Sequence, residues 1–158
     1  MTIASAPVLA SDFRGRASVI DGDTLEIRGS RIRLWGVDAP EHDQLCRGDD
    51  SLPYRCGARV ANELDRFIAA RTVACVALDI DRYGRTVASC SVGGVDLAKW
   101  LVAHGYALDW PHYSKGKYKQ DQKEAESAGV GIWAGSFIEP RRFRDCARAG
   151  RSSELCSD

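Results

Sequence analysis

Three short segments gather charged residues of the kind that act on phosphate esters. Residues 19–24 read VIDGDT, residues 33–41 read RLWGVDAPE and residues 81–85 read DRYGR. Hard divalent cations want oxygen ligands, so Asp23 and Asp38 can supply two carboxylates, with backbone carbonyls and water filling the rest of the shell. A phosphodiester under attack gathers negative charge on its non-bridging oxygens. Arg33 and Arg85 suit that charge, because guanidinium is planar, stays ionised and donates two parallel hydrogen bonds. Attack by water also needs a group to take a proton, and Glu41 is the candidate base. Taken singly, the segments are an Asp-Gly turn, a solvated strand end and a charged turn. Taken together, metal, two cations and a base make a complete hydrolytic set.

Such side chains must be held by elements, and the hydrophobic period indicates which. Residues 17–20 form a strand. Apolar residues alternate at Leu25 and Ile27 and again at Ile32 and Leu34, with Gly29-Ser30 between them as a two-residue turn, so residues 25–35 form a hairpin. Val60, Leu64, Phe67 and Ile68 fall on one helical face within residues 56–70. Residues 73–78 and 86–92 return to strand. Asp96 can cap a helix running to His104, and a third helix spans about residues 118–128, closed by Gly129. Beyond Pro140 the chain is Arg-rich and shows no clear period. The expected fold is α+β, mainly β: a five-stranded OB-type barrel with three helices. The domains expected are a leader at 1–14, a catalytic domain at 15–140 and a tail at 141–158.

The totals restrict the function classes. With 158 residues the chain makes one domain, and 22 Lys plus Arg against 22 Asp plus Glu leave no net charge. A protein that coats nucleic acid by bulk charge would be basic, so any binding must rest on a local cationic site. No apolar run approaches the ~20 residues of a membrane span, and no membrane partner is expected. The apolar stretch IASAPVLA at residues 3–10 is either the end of a signal peptide or a disordered leader.

Six cysteines, with no Cys-x-x-Cys pair and no histidine at ligand spacing, point away from zinc and toward disulfides in an oxidising compartment. A turn centred between Arg82 and Tyr83 puts Cys75 opposite Cys90, where neighbouring strands can be bridged. Cys46 with Cys56, and Cys146 with Cys156, are paired on nearness in the chain alone. Six buried thiols in a cytosolic protein are the alternative.

The stretches IDGDT, RLWGVDAPE and DRYGR resemble, in order and spacing, the three signature segments of the staphylococcal nuclease (thermonuclease) family. The resemblance runs from about Val19 to Trp133, and GIW at residues 131–133 is similar to the family's packing segment after its last helix. The cysteine pattern resembles exported bacterial members, which implies a secreted or periplasmic monomer. The resemblance further implies a Ca2+-dependent enzyme with DNA and RNA as substrates, releasing 3′-phosphate products. It makes Asp23 and Asp38 the calcium carboxylates, with the backbone carbonyl of Ala39 as a further ligand; the family's type member has Thr at that position. It makes Glu41 the general base, Arg33 and Arg85 the phosphate-binding pair, Asp21 an acidic neighbour acting through water, and Tyr83 and Tyr113 the border of the nucleotide. The match at Tyr113 is loose. A non-catalytic binding module on the same fold is the competing reading, but such modules typically lose the carboxylates or arginines that are all present here. Recruitment near cell-surface polysaccharide is a third reading, with nothing in the sequence to favour it.

Overall fold

The structure, a computed structural model, describes residues 12–158, and the expected leader lies almost wholly outside the described residues. The chain opens with β1 (Asp12–Gly15), β2 (Ala17–Asp21), β3 (Thr24–Ile27), β4 (Ser30–Leu34) and β5 (Val37–Asp38). A cysteine-bearing loop follows with two short strands, β6 (Cys46–Arg47) and β7 (Pro53–Tyr54), then helix α1 (Cys56–Ile68). Next come β8 (Val73–Ile80), β9 (Thr86–Val92), β10 (Val95–Asp96), α2 (Leu97–Ala103), β11 (Leu108–Asp109), α3 (Pro111–Ser114) and α4 (Lys119–Ala128). The chain ends with a 3-10 turn (Gly131–Ala134), α5 (Pro140–Arg148) and α6 (Ser153–Cys156).

The main sheet runs β1-β8-β9-β4-β3-β2, with β10 also pairing β9. The five expected strands are all there as β2, β3, β4, β8 and β9. β1 and β10 add edges, so the sheet has seven strands, and β1 crosses the expected domain boundary at residue 15. The three expected helices are α1, α2 and α4, but the described residues hold six. The tail without a visible period is in fact α5 and α6. Pro140 opens α5, where its fixed φ suits the first turn. Phe143 is the large apolar side chain that α5 buries, too few to register as an apolar stripe.

Two register details also differ from expectation. The β3–β4 turn is Arg28-Gly29, one residue earlier than expected, because Ile27 pairs with Ser30. Both turn residues have positive φ, 50° and 80°, as a twisted two-residue hairpin loop requires. In β8–β9, Cys75 does pair with Cys90, but a bulge between Ala77 and Asp79 shifts the remaining register by one.

Leu25, Ile32, Leu34, Val73 and Ala88 from the sheet, Leu64 and Ile68 from α1, and Leu97 and Leu101 from α2 bury in one core. Asp96 caps α2 as expected, accepting from the backbone of Ala98 and Lys99. Helix α1 packs on β2, and Val60 of α1 meets the β2–β3 turn at Gly22, where the first charged segment lies. Removing one apolar side chain of this helix, Leu64→Ala for instance, costs about 2–5 kcal/mol. Cys46–Cys56, Cys75–Cys90 and Cys146–Cys156 are all disulfides, and no cysteine is free.

Candidate active site

Close approaches of backbone place the carboxylates. Gly22 sits in the β2–β3 turn where a Cβ would meet Val60 Cγ1 at 2.5 Å and Ala39 Cβ at 2.9 Å. Only glycine lets that turn press against α1 and β5, which brings Asp23 beside residue 39. Asp23 Oδ2 then accepts from Ala39 N at 3.0 Å and Oδ1 from Thr24 Oγ1 at 3.2 Å. β5 is held by β11, with Asp38 paired to Leu108. Gly57 plays the matching part for Glu41. A Cβ there would lie 1.6 Å from the Glu41 carbonyl oxygen, so the first turn of α1 packs on that carbonyl. Gln44, fully buried, accepts from Glu41 N at 3.2 Å and donates to Ile138 O at 2.7 Å.

Arg33 stands between the two aspartates. Its Nη2 lies 3.2 Å from Asp38 Oδ1 and 3.6 Å from Asp23 Oδ2, largely out of solvent. The motifs did not point to the second cation at these carboxylates. Arg144, on α5, donates from Nη1 to Asp38 Oδ1 at 2.7 Å and from Nη2 to Asp38 Oδ2 at 3.2 Å, a bidentate grip. The same Nη1 donates to Glu41 Oε1 at 3.0 Å. Both guanidinium groups lie over the Trp110 ring, Arg33 at 5.0 Å and Arg144 at 5.7 Å from its centroid.

Arg85 lines the same cleft but is not among these carboxylates. Its Nε donates to Asp81 Oδ2 at 2.7 Å, and Asp81 Oδ1 accepts from the backbone of Tyr83 and Arg85 at 2.9 Å each. Burial alone would raise the Asp81 pKa. Hydrogen bonds from the Arg85 backbone and side chain and from Tyr83 outweigh it and hold the group below its ordinary value. Tyr83 and Tyr113 are both exposed and both line the cleft, as do Arg82, His112, Arg141 and Arg148. The cleft measures about 930 Å³, room for a nucleotide-sized ligand.

The carboxylates share a charge problem. Burial raises the pKa of Asp21, and Asp23 beside it raises it further. Burial also raises Asp38 and Glu41; Asp23 adds to both, while the hydrogen bonds from Arg144 work against the rise. Burial alone would lower the pKa of Arg144, but its bonds to Asp38 and Glu41 drive it well up instead. Among the described residues no group of three His, Cys, Asp or Glu side chains is arranged as a metal cage. Two carboxylates converging on one guanidinium nitrogen, with the Ala39 backbone beside Asp23, do fit a hard cation that takes its other ligands from carbonyl oxygen and water. Arg144 was out of reach of motif reading. It is 106 residues from Asp38, and its only local signal was an arginine-rich stretch after a proline.

Fold and cleft define a small mixed domain that presents carboxylates and arginines where its strands end. The chain belongs to the staphylococcal nuclease family: the profile described as staphylococcal nuclease homologue matches residues 31–135. Among curated proteins it is similar to the succinoglycan biosynthesis protein ExoI of Rhizobium meliloti, 46% identical over 126 residues that cover 78% of this chain and 66% of that protein. It is 32% identical over 139 residues to an uncharacterized endonuclease of Escherichia coli O157:H7, covering 84% of each chain. The staphylococcal-like nuclease CAN1 of Arabidopsis thaliana is 30% identical over 122 residues, covering 76% of this chain and 35% of that protein. The chain thus spans about two thirds of the length of ExoI and about a third of CAN1. Helix α5 and the disulfide tail lie beyond the segment the family profile matches.

Proposed function

We propose that the protein is a calcium-dependent phosphodiesterase that cleaves DNA and RNA with little sequence specificity and leaves 3′-phosphate ends. It would work as an exported monomer on the five-stranded OB-type barrel made by β2, β3, β4, β8 and β9. The observation that carries this reading is one cleft lined by Asp23, Arg33, Glu41 and Arg85, with Asp38 ion-paired to Arg33 behind it. Asp23, Asp38 and the Ala39 carbonyl would hold the cation, which supplies Lewis-acid stabilisation to a phosphoryl oxygen and a more acidic water. Glu41 takes the proton of the attacking water. Arg33 and Arg85 bind the non-bridging oxygens as their charge grows, each donor contributing about 10²–10³-fold in rate. A water oxygen–phosphorus bond forms, the bond from phosphorus to the 5′ oxygen breaks, and that oxygen leaves as a hydroxyl after taking up a proton.

The test is incubation with denatured DNA or RNA, with calcium or with chelator. Acid-soluble fragments with 3′-phosphate ends are expected with calcium alone. Full activity in excess chelator would overturn the metal assignment. Binding without cleavage under every condition would favour the non-catalytic module. The Rhizobium relative is named for succinoglycan biosynthesis, which brings in a second reading, action beside that glycan, and succinoglycan included as substrate in the same assay separates the two.

A further inference from the structure

We propose that helix α5 is a second phosphate-binding wall, which grips a single nucleic-acid strand beyond the bond being cut. The inference rests on the nuclease reading and names a part of the substrate site that lies outside the family's matched segment.

Helix α5 carries four arginines against one aspartate in a chain with no net charge. Arg141, Arg144 and Arg148 are spaced by three and by four residues, which puts them on one helical face. All three line the cleft. At 1.5 Å rise per residue the row from Arg141 to Arg148 is about 10 Å long, enough to meet more than one phosphate. Its middle member is already committed, because Arg144 is held by Asp38 and Glu41. The two ends are different. Among the described residues Arg141 pairs with no carboxylate. Arg148 makes a long exposed contact of 3.4 Å with Asp145, the one acidic residue of α5 in the cleft.

The row also continues across the cleft. Arg148 Nη2 donates to the Tyr83 hydroxyl at 3.2 Å. The Tyr83 ring is flanked by Arg82 at 5.1 Å and Arg85 at 5.5 Å. A line of guanidinium groups thus runs from Arg141 through Arg148 to the β8–β9 turn. A polyanion in extended form fits that line, and the exposed rings of Tyr83 and Tyr113 beside it are surfaces on which bases stack. Stacking needs unpaired bases, which selects a single strand over a duplex.

The experiment measures affinity of the full chain in chelator, so that nothing is cut. Fluorescent single-stranded oligonucleotides, short and long enough to span α5, are titrated over a range of salt. For Arg141→Gln/Arg148→Gln, Kd for the long strand rises by about tenfold, while Kd for a dinucleotide moves little. The slope of log Kd against log salt falls by about 1.4, at ~0.7 per single-strand phosphate released. Arg141→Lys/Arg148→Lys keeps the charge and keeps most of the slope, which also controls for misfolding. An unchanged slope in the glutamine variant overturns the wall and leaves the nuclease reading standing. Equal loss for dinucleotide and long strand also overturns it, as does a greater loss for duplex than for single strand. If the parent chain binds no oligonucleotide of any length at low salt in chelator, the wall falls, while cleavage with calcium decides the nuclease reading separately.

Discussion

In the proposed reaction Glu41 has two tasks that pull on it differently: as the base it would take a proton from water, and as an anchor it holds Nη1 of Arg144. Glu41→Gln keeps the shape and the capacity to accept, and removes the basicity. We expect kcat to fall about 10²–10⁴-fold, with nucleotide affinity and Tm close to parental values. If anchoring were the whole role, Arg144→Gln would lower kcat as much, and both variants would lose Tm. Asp81 gives a second test at this scale. Its pKa is held below the ordinary 3.8, so the folded state binds fewer protons than the unfolded one just below that value. Its contribution to stability is present above pH ~4 and lost as pH falls through the lowered pKa. Asp81→Asn is therefore expected to lower Tm at pH 7, with a deficit that closes in acid. A deficit that stays constant down to pH 3 would show that the shift plays no part. The charged residues at 19–24, 33–41 and 81–85 were legible in the sequence because each set sits in one short stretch at a turn or strand end. Arg144 and Trp110 were not, since Arg144 meets Asp38, and Trp110 meets the two guanidinium groups, only once β11 and α5 have docked.

At the scale of elements, the site depends on helix α1 reaching the backbone of the loop that carries Glu41. Gly57→Ala would force a Cβ into the Glu41 carbonyl, and the first turn of α1 or the loop must move. Overpacking of this kind costs about 1–3 kcal/mol or more. We expect a lower Tm together with a loss of kcat larger than Tm alone explains. Parental kcat in a folded Gly57→Ala protein would mean the loop is positioned from elsewhere. The same glycine shows what pattern reading can and cannot give. The apolar face of α1 was plain from Val60, Leu64 and Ile68, because a helix in contact with a core must repeat its side chains. The contact at Gly57 left no pattern, because it is made by the absence of a side chain. Likewise the hairpin of β3 and β4 was legible while its turn was one residue out, since apolar alternation fixes the strands and only the positive φ of Arg28 and Gly29 fixes the loop.

For the molecule as a whole, the three disulfides divide the labour. Cys75–Cys90 is buried in the main core, and four further register pairs of the β8–β9 ladder separate it from the 81–85 turn and hold that turn without it. Cys146–Cys156 ties α5 to α6, and α6 with the residue after it returns to the Glu41 loop: Leu45 N donates to Ser157 Oγ at 2.9 Å and Ser153 Oγ to Asp43 Oδ2 at 2.5 Å. Replacing either pair with serine is expected to cost about 2–4 kcal/mol. The kinetic effects should separate. Loss of Cys75–Cys90 lowers Tm with kcat/KM nearly intact, whereas loss of Cys146–Cys156 lowers kcat/KM as well, because α5 is freed. Equal kinetic effects from the two would remove the tail from the site. The Cys75–Cys90 pair could be read from strand register. The path of the sheet could not, because β4 pairs in parallel with β9 across the intervening helix, and no local pattern encodes a long-range partner.

The order in which the cleft's parts are synthesised has its own consequence. Asp38 leaves the ribosome 106 residues ahead of the arginine that neutralises it. At ~5–20 residues per second, that gap lasts about 5–20 s. Throughout it the nascent chain carries a knot of carboxylates with Arg33 as their nearby cation and no α5 to close over them. The finished cleft is therefore a late event in the life of each chain, reached only after every strand of the sheet beneath it has been made.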